Sequence, residues 1–376
     1  MAEVFVFVVL GLIIGVLQSA NAEVPAIFIL GDSTVDVGTN NYLPDSNITA
    51  NRPHNGVDFP FGRATGRFSN GFNTADFIAK LFGFKRSPLS FLAFNGTYGI
   101  WKPKFRGINF ASAGSGLFDL TGQPPTQKVN VVSMGQQVYQ FSMVYNYLLE
   151  NKGQSETEEF LSKSLFFISA GSNDIMGNYH SDNPIPKEQF IPNLALVYEK
   201  HLRNLVSVGA RRFGIIGVPP VGCCPSQRLS AKGECVKDLN DQAEAFFSAM
   251  DTVMRNLSSE KKDIKYSLGN AYVITRKVID NPLKFNFIDV KNACCGNGTL
   301  NAESFCTPLA NLCSDRRRYL FWDLFHPTQA ASKMVAFKLY SGEPEYVTPI
   351  NFSQLAEAYR HREWSDRQSA LNLNNL

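Results

Sequence analysis

Four kinds of side chain in this sequence could together cleave an acyl bond. Ser33 stands in "FILGDSTVDVGTNN", Phe28–Asn41, where an apolar run ends on Gly31-Asp32-Ser33. Asp323 and His326 stand in "FWDLFHPTQAA", Phe321–Ala331, three residues apart. One local turn brings that carboxylate to that imidazole, so Asp323 can orient His326 and stabilise it once it has taken the serine proton. Asn173, in "GSND", Gly171–Asp174, offers a side-chain N–H donor. The Gly-rich "ASAGSG", Ala111–Gly116, exposes backbone N–H groups. Serine, base, acid and a set of N–H donors are the parts that acyl transfer requires. Each motif alone reads more simply as a turn or a helix cap. The four remaining histidines have plainer settings. His201 is within a long helical stretch, His361 in the polar tail and His54 in a Pro/Asn/Gly loop, while His180 follows the Asn motif closely enough to reach a shared cleft.

Such parts need elements to position them. "AIFIL" (Ala26–Leu30), "SLFFISA" (Ser164–Ala170) and "RFGIIGV" (Arg212–Val218) are continuous apolar runs, with "INFAS" (Ile108–Ser112) and "IKYSL" (Ile264–Leu268) weaker members. Unbroken runs of this length suit strands buried on both faces of a parallel sheet. Helical patterns lie between them, over Phe72–Phe82, Ile191–Ala210 and Asp238–Leu257. The alternation predicts an α/β fold, a three-layer α/β/α sandwich with right-handed crossovers. In such sheets ligands sit beyond the carboxyl ends of the strands, so the motifs after three strands should converge on one rim.

The bulk composition agrees. The chain has 376 residues, 44% hydrophobic and 18% charged, enough apolar material for one large core that its 30 phenylalanines help to fill. Its formal charge of +3 is spread without a basic block, which argues against nucleic acid as a partner. "FVFVVLGLIIGVL", Phe5–Leu17, followed by "SANA", Ser19–Ala22, reads as a signal peptide over residues 1–22, cleaved after Ala22 and leaving a single domain over 23–376. The run is short for a membrane span, and no second one follows. The expected location is therefore secreted and extracellular, the cell wall or apoplast if the source is a plant. Sequons at Asn47, Asn95, Asn256, Asn297 and Asn351 point to a glycoprotein. In an oxidising compartment the seven cysteines are disulfide candidates. Zinc is the competing reading, and adjacent Cys294-Cys295 does not suit paired zinc knuckles. The Gly-x-Ser-x-Gly elbow of α/β-hydrolases, zinc-protease, nucleotide-loop and dinucleotide fingerprints are not found.

Taken together, "FILGDSTVDVGTNN", "DFPFGRATGRFSNG" (Asp58–Gly71), "GINFASAGSG" (Gly107–Gly116), "SAGSNDIMGNY" (Ser169–Tyr179), "GVPPVGCCPS" (Gly217–Ser226) and "YLFWDLFHPT" (Tyr319–Thr328) resemble the plant-type GDSL esterases/lipases of the SGNH-hydrolase superfamily. The resemblance implies a flavodoxin-like sheet and metal-free, cofactor-free hydrolysis of carboxylic esters. It implies Ser33, Asp323 and His326 as catalytic residues, and Ser33, Gly114 and Asn173 as the oxyanion hole. Gly114 is taken over its neighbours because it lies five residues after Asn109, as in the family pattern. Thr34 stands where the family's name has Leu. The resemblance also implies that Cys223 pairs with Cys235 and that Cys224 is the unpaired thiol. Cys294 and Cys295 then pair with Cys306 and Cys313. Both arrangements are open, and the nested one, Cys294 to Cys313 and Cys295 to Cys306, is the expectation.

The functional expectation is a secreted serine esterase/lipase. Its partner is a small-molecule, lipid or acylated-polysaccharide ester, with no integral membrane segment once the leader is removed. An acyltransferase with a sugar or hydroxy-acid acceptor would use the same acyl-enzyme, and a non-catalytic ligand-binding glycoprotein could share the scaffold.

Overall fold

The computed structural model describes residues 24–94, 105–123 and 130–357. The expected signal peptide, the Asn95 sequon and His361 lie outside them. Five apolar runs form parallel strands: β1 (Ile27–Gly31), β2 (Gly107–Asn109), β3 (Leu165–Ser169), β4 (Arg212–Ile216) and β5 (Lys265–Gly269). Four short strands follow, β6 (Asp289–Ala293), β7 (Cys295–Gly296), β8 (Asn311–Leu312) and β9 (Tyr319–Phe321). Of these, β6 pairs with β9 in parallel and β7 with β8 antiparallel, apart from the main sheet. The chain then returns as β10 (Val347–Thr348), antiparallel to β5 at the sheet edge.

The main sheet runs β10-β5-β4-β3-β1-β2. Its parallel part is the doubly wound order whose direction of winding reverses between β1 and β3, and the crevice at that reversal is where such sheets bind ligands. Ser33 follows β1 directly there, and Gly31 of β1 is in register with Ser169 of β3.

The period-two geometry of strands sends successive side chains into two separate cores. Phe28, Leu30, Phe166, Ile168, Phe213 and Ile215 pack with Phe141, Leu202 and Phe246 from the helices Met134–Lys152, Lys187–Ser207 and Lys237–Glu260. Ile27, Ile29, Leu165, Phe167 and Ile216 pack on the other face with Ile78, Ile274 and Ala336 from the helices Thr74–Leu81, Ala271–Asp280 and Gln329–Ser341. This is the three-layer sandwich. Phenylalanine rings mesh on the first face, Phe28 lying 5.1 Å from Phe141 and 5.0 Å from Phe166 between centroids.

Sequence and structure differ at several boundaries. The run expected over Ile108–Ser112 ends as strand at Asn109, although Phe110 N–H and Ser112 N–H still donate to Ile29 O and Gly31 O of β1 at 2.7 and 3.1 Å. The helix expected to begin at Ile191 begins at Lys187. The helix Met134–Lys152 was not anticipated, although Met134, Val138, Phe141, Val144 and Leu148 are its buried face. Its Gln, Asn and Tyr residues dilute the pattern, and a Ser133–Gln136 capping box starts it.

Candidate active site

The end of β1 is built to carry a reactive residue. Gly31 has φ +147°, and a Cβ there would lie 2.1 Å from the carbonyl oxygen of Ser169, so only glycine fits. Buried Gln137 holds this strand end: its Oε1 accepts Gly31 N–H at 2.8 Å, and its Nε2 donates to Gly31 O at 2.9 Å beside the Ser112 N–H and Ser115 hydroxyl donors. Asp32 accepts the Thr34 N–H at 2.9 Å and the Thr34 hydroxyl at 2.7 Å, tightening the turn. Burial raises the Asp32 pKa, with the Thr34 bonds opposing. The acid beside the serine is thus part of the turn, and its contacts are not with His326.

The imidazole beside Ser33 comes from the other end of the chain. His326 Nε2 lies 2.7 Å from Ser33 Oγ, and His326 Nδ1 lies 2.8 and 2.9 Å from the two oxygens of Asp323. Asp323 Oδ1 also accepts the backbone N–H groups of Phe325 and His326 at 3.2 and 2.9 Å. Burial pushes the Asp323 pKa up, but the charge and hydrogen bonds of His326 and the two backbone donors outweigh it, and the net direction is down. An ionised Asp323 accepts a hydrogen bond from Nδ1–H, which leaves Nε2 as the acceptor facing the serine. The rings of Phe68 and Phe325 pack against the imidazole at 4.8 and 4.6 Å. A buried bidentate Arg67–Asp76 pair, at 2.6 and 2.8 Å, anchors the segment carrying Phe68.

The N–H donors meet Ser33 because buried carboxylates and amides stitch the loops together. Asp36 accepts Gly38 N–H and Thr39 N–H at 2.7 Å and Ala113 N–H at 2.9 Å. Burial pushes the Asp36 pKa up to about 6 against those donors. Asn40 bonds Ser112 Oγ at 2.6 Å and Ala113 O at 2.9 Å. Asp174 accepts Leu117 N–H, Phe118 N–H and the Thr121 hydroxyl at 2.9, 3.1 and 2.7 Å. Asn173 Nδ2 donates one hydrogen to Ser115 O at 2.9 Å. Its second hydrogen is spare. Gly114 sits at φ +84°, and the N–H groups of Ser33 and Gly114 have no acceptor among the described residues. Ser33, Gly114, Asn173 and His326 line one cleft of about 720 Å³.

Other candidates fall elsewhere. His180 borders the cleft, its Nε2 2.7 Å from Gln227 Oε1. His201 is buried against Leu117 O at 3.0 Å, and His54 lies in a loop with φ 75°. Cys223 is bridged to Cys235, Cys294 to Cys313 and Cys295 to Cys306. Cys224 is free and buried, its thiol pushed up to about 12 by that burial. Asn47 and Asn256 are exposed, whereas Asn297 and Asn351 are half-buried. Among the described residues no group of three or more His, Cys, Asp or Glu side chains is arranged for a metal ion, and no helix is long and apolar enough to cross a membrane. Sequence reasoning missed Asp36, Asn40 and Gln137. For all three the sequence carries no local signal, since their partners lie on segments remote in sequence.

The profile of the GDSL-like lipase/acylhydrolase family matches residues 27–339, from β1 to the helix that follows His326. The chain belongs to this family. GDSL relatives in Arabidopsis thaliana extend the match. One GDSL esterase/lipase is 38% identical over 344 residues, covering 89% of this chain and 90% of its own. A second is 35% identical over 352 residues, covering 90% and 92%. A solved acetyl xylan esterase is 11% identical with a TM-score of 0.35 over 83% of this chain and 96% of its own, too distant to inform the site. Membership in the GDSL family makes this chain a carboxylic ester hydrolase.

Proposed function

We propose that the chain is a secreted serine esterase that hydrolyses acyl or acetyl esters through an acyl-enzyme on Ser33. The observation that carries this reading is the 2.7 Å contact between Ser33 Oγ and His326 Nε2, with Asp323 on the far side of the ring. His326 takes the Ser33 proton as Oγ bonds to the ester carbonyl carbon. The carbonyl oxygen becomes an oxyanion, received by the N–H groups of Ser33 and Gly114 and by Asn173 Nδ2. Collapse breaks the carbon–oxygen bond to the alcohol, which leaves with the proton from His326. Water then repeats the sequence on the acyl-enzyme and frees Ser33.

Export fits the three disulfides and the apolar leader over residues 1–22, followed by a single hydrolase domain over 23–376. Glycans at the sequons belong to the same reading, Asn47 being exposed on the cleft wall. The test is labelling with a serine-reactive phosphonate followed by peptide mapping. Label on Ser33 that abolishes ester hydrolysis is the expected result. Hydrolysis that survives complete labelling, or label on another serine, overturns it. Sequencing the N-terminus of protein collected from the medium tests cleavage after Ala22.

A further inference from the structure

Ser33 and His326 border two spaces of different character. The cleft of about 720 Å³ on the Gly114 side is lined by Arg52, His180 and Gln227 as well as the site residues. A second, smaller space of about 100 Å³ opens from the same Ser33–His326 pair, with Phe325 lining both. Its wall is mostly carbon, from Ile216, Pro219, Leu320, Phe321, Ala331 and Val335. All but Pro219 and Val335 are buried. Ile216 ends β4 and Ala331 opens the helix Gln329–Ser341, so the space lies within the sandwich and is framed by regular elements. From this division we infer that the inner slot is the acyl pocket, sized for a short unbranched acyl chain, and that the outer cleft takes a hydroxyl-rich alcohol. The inference rests on the reading of Ser33 as nucleophile.

The assignment of ends follows from solvation. A polyol needs a partner for each hydroxyl it buries, and an unpaired one is costly. The inner wall supplies few. The hydroxyls of Thr34 and Ser169 are 3.0 Å apart and bonded to each other, and Ser332 Oγ is one buried hydroxyl without a partner among the described residues. The outer cleft supplies Arg52, His180 and Gln227, a guanidinium, an imidazole and an amide, each with hydrogen-bonding capacity left over. Thr34 contributes to the slot as well. Leucine, the residue in the family's name at this position, would project more carbon into it, so threonine keeps the mouth wider.

Size sets the chain length. A methylene needs about the room of a water molecule, roughly 30 Å³, so the slot holds about three carbons beyond the carbonyl. Each methylene that fits should raise kcat/KM about three- to fourfold, the factor that follows from burying one such group. A longer chain cannot enter fully and must leave carbon in the outer cleft, where the polar groups stand beside Ile48, Phe68, Phe305 and Phe325.

The experiment uses the mature protein and p-nitrophenyl esters from acetate to decanoate, with phosphonate titration of Ser33 to count active sites. The expected profile rises on the order of tenfold from acetate to butyrate or valerate and falls by octanoate. Ala331→Leu fills the slot and should lower the valerate-to-acetate ratio on the order of tenfold. Val335→Ala, which also favours the helix, should move the optimum one or two carbons longer. The two variants push in opposite directions, so misfolding of the first leaves the second as a test. In a second arm, butyrate monoesters of glucose and of hexanol should differ in KM, the glucose ester binding more tightly. A flat profile, one still rising at decanoate, or variants that leave the ratio unchanged overturn the slot while Ser33 remains labelled and active. An unlabelled Ser33 with no ester hydrolysed overturns the nucleophile reading itself.

Discussion

The two sides of the Ser33–His326 pair are held by different physics. On the Ser33 side, β1 lies between β2 and β3 in the sheet, and the loop after it is fastened by buried polar groups. Gln137, Asp36, Asn40 and Asp174 bond backbone atoms of the motifs that follow β1 and β2. On the His326 side there is little sheet. Cys294 N–H and Cys295 N–H donate to Phe321 O and Trp322 O at 3.0 and 2.7 Å, and those cysteines are cross-linked to Cys313 and Cys306. Trp322 Nε1 donates to Asn55 Oδ1 at 2.9 Å. A candidate nucleophile at the carboxyl end of an inner strand inherits its position from the core, while a candidate acid and base on an irregular loop depend on covalent ties. A reducing environment should therefore loosen one half of the site and spare the other.

The sharpest break of this contrast removes the groups themselves. Ser33→Ala should lower turnover by about a millionfold, as loss of a serine nucleophile does, with the fold intact by circular dichroism. Asp323→Asn should lower it by about a thousandfold or more, because the amide no longer selects the tautomer that leaves Nε2 free. The same variant should change the acid limb of the rate. Asp323 is held below its ordinary range and stays charged there, so the wild-type limb should be the one-proton loss of the neutral base. A limb governed by two protons would show that the carboxylate titrates too.

Asn173→Ala should cost on the order of a hundredfold to a thousandfold in kcat, the typical loss for one oxyanion donor. A change confined to KM would mean that the amide only ties the loop through Ser115 O.

The contrast itself is tested by paired variants. Replacing Cys295 and Cys306 together by Ala should lower activity several-fold and speed amide exchange around residues 319–326, with β1 and β3 unaffected. Gln137→Leu strands the Gly31 N–H in the core, at roughly 1–3 kcal/mol, while Gly31 O keeps the Ser112 N–H and Ser115 hydroxyl donors. It should lower the melting temperature of the whole sheet and be indifferent to reductant. If reductant and Gln137→Leu act on the same amides, the two sides are one cooperative unit.

The smallest expected effect concerns pH and Asp36. Its folded pKa, about 6, is above the ordinary value of 3.8, so its contribution to stability is fully present below about 4 and lost as pH rises through 6. The loss of melting temperature caused by Asp36→Asn should then be a few degrees larger at pH 4.5 than at pH 7. The opposite ordering would mean that the three backbone donors prevail over burial and favour the carboxylate.

Sequence alone determined the strands, because a continuous apolar run can be placed only where both faces are covered. The five central strands, their parallel arrangement and the family resemblance were all legible in local patterns. So were Ser33, Asn173, Asp323 and His326 as candidates, since each belongs to a short motif whose chemistry is local. The small sheets β6–β9 and β7–β8 were not legible, being two to five residues long and held by cross-links rather than by apolar periodicity. Nor were Gln137, Asp36 and Asn40, whose partners are as far as 106 residues away in sequence. Only the tertiary structure decided which of the polar residues are buried and what they hold. It also decided that an apolar slot and a wider cleft carrying Arg52, His180 and Gln227 meet at one serine. A slot is the space left between elements remote in sequence, and no single segment encodes it.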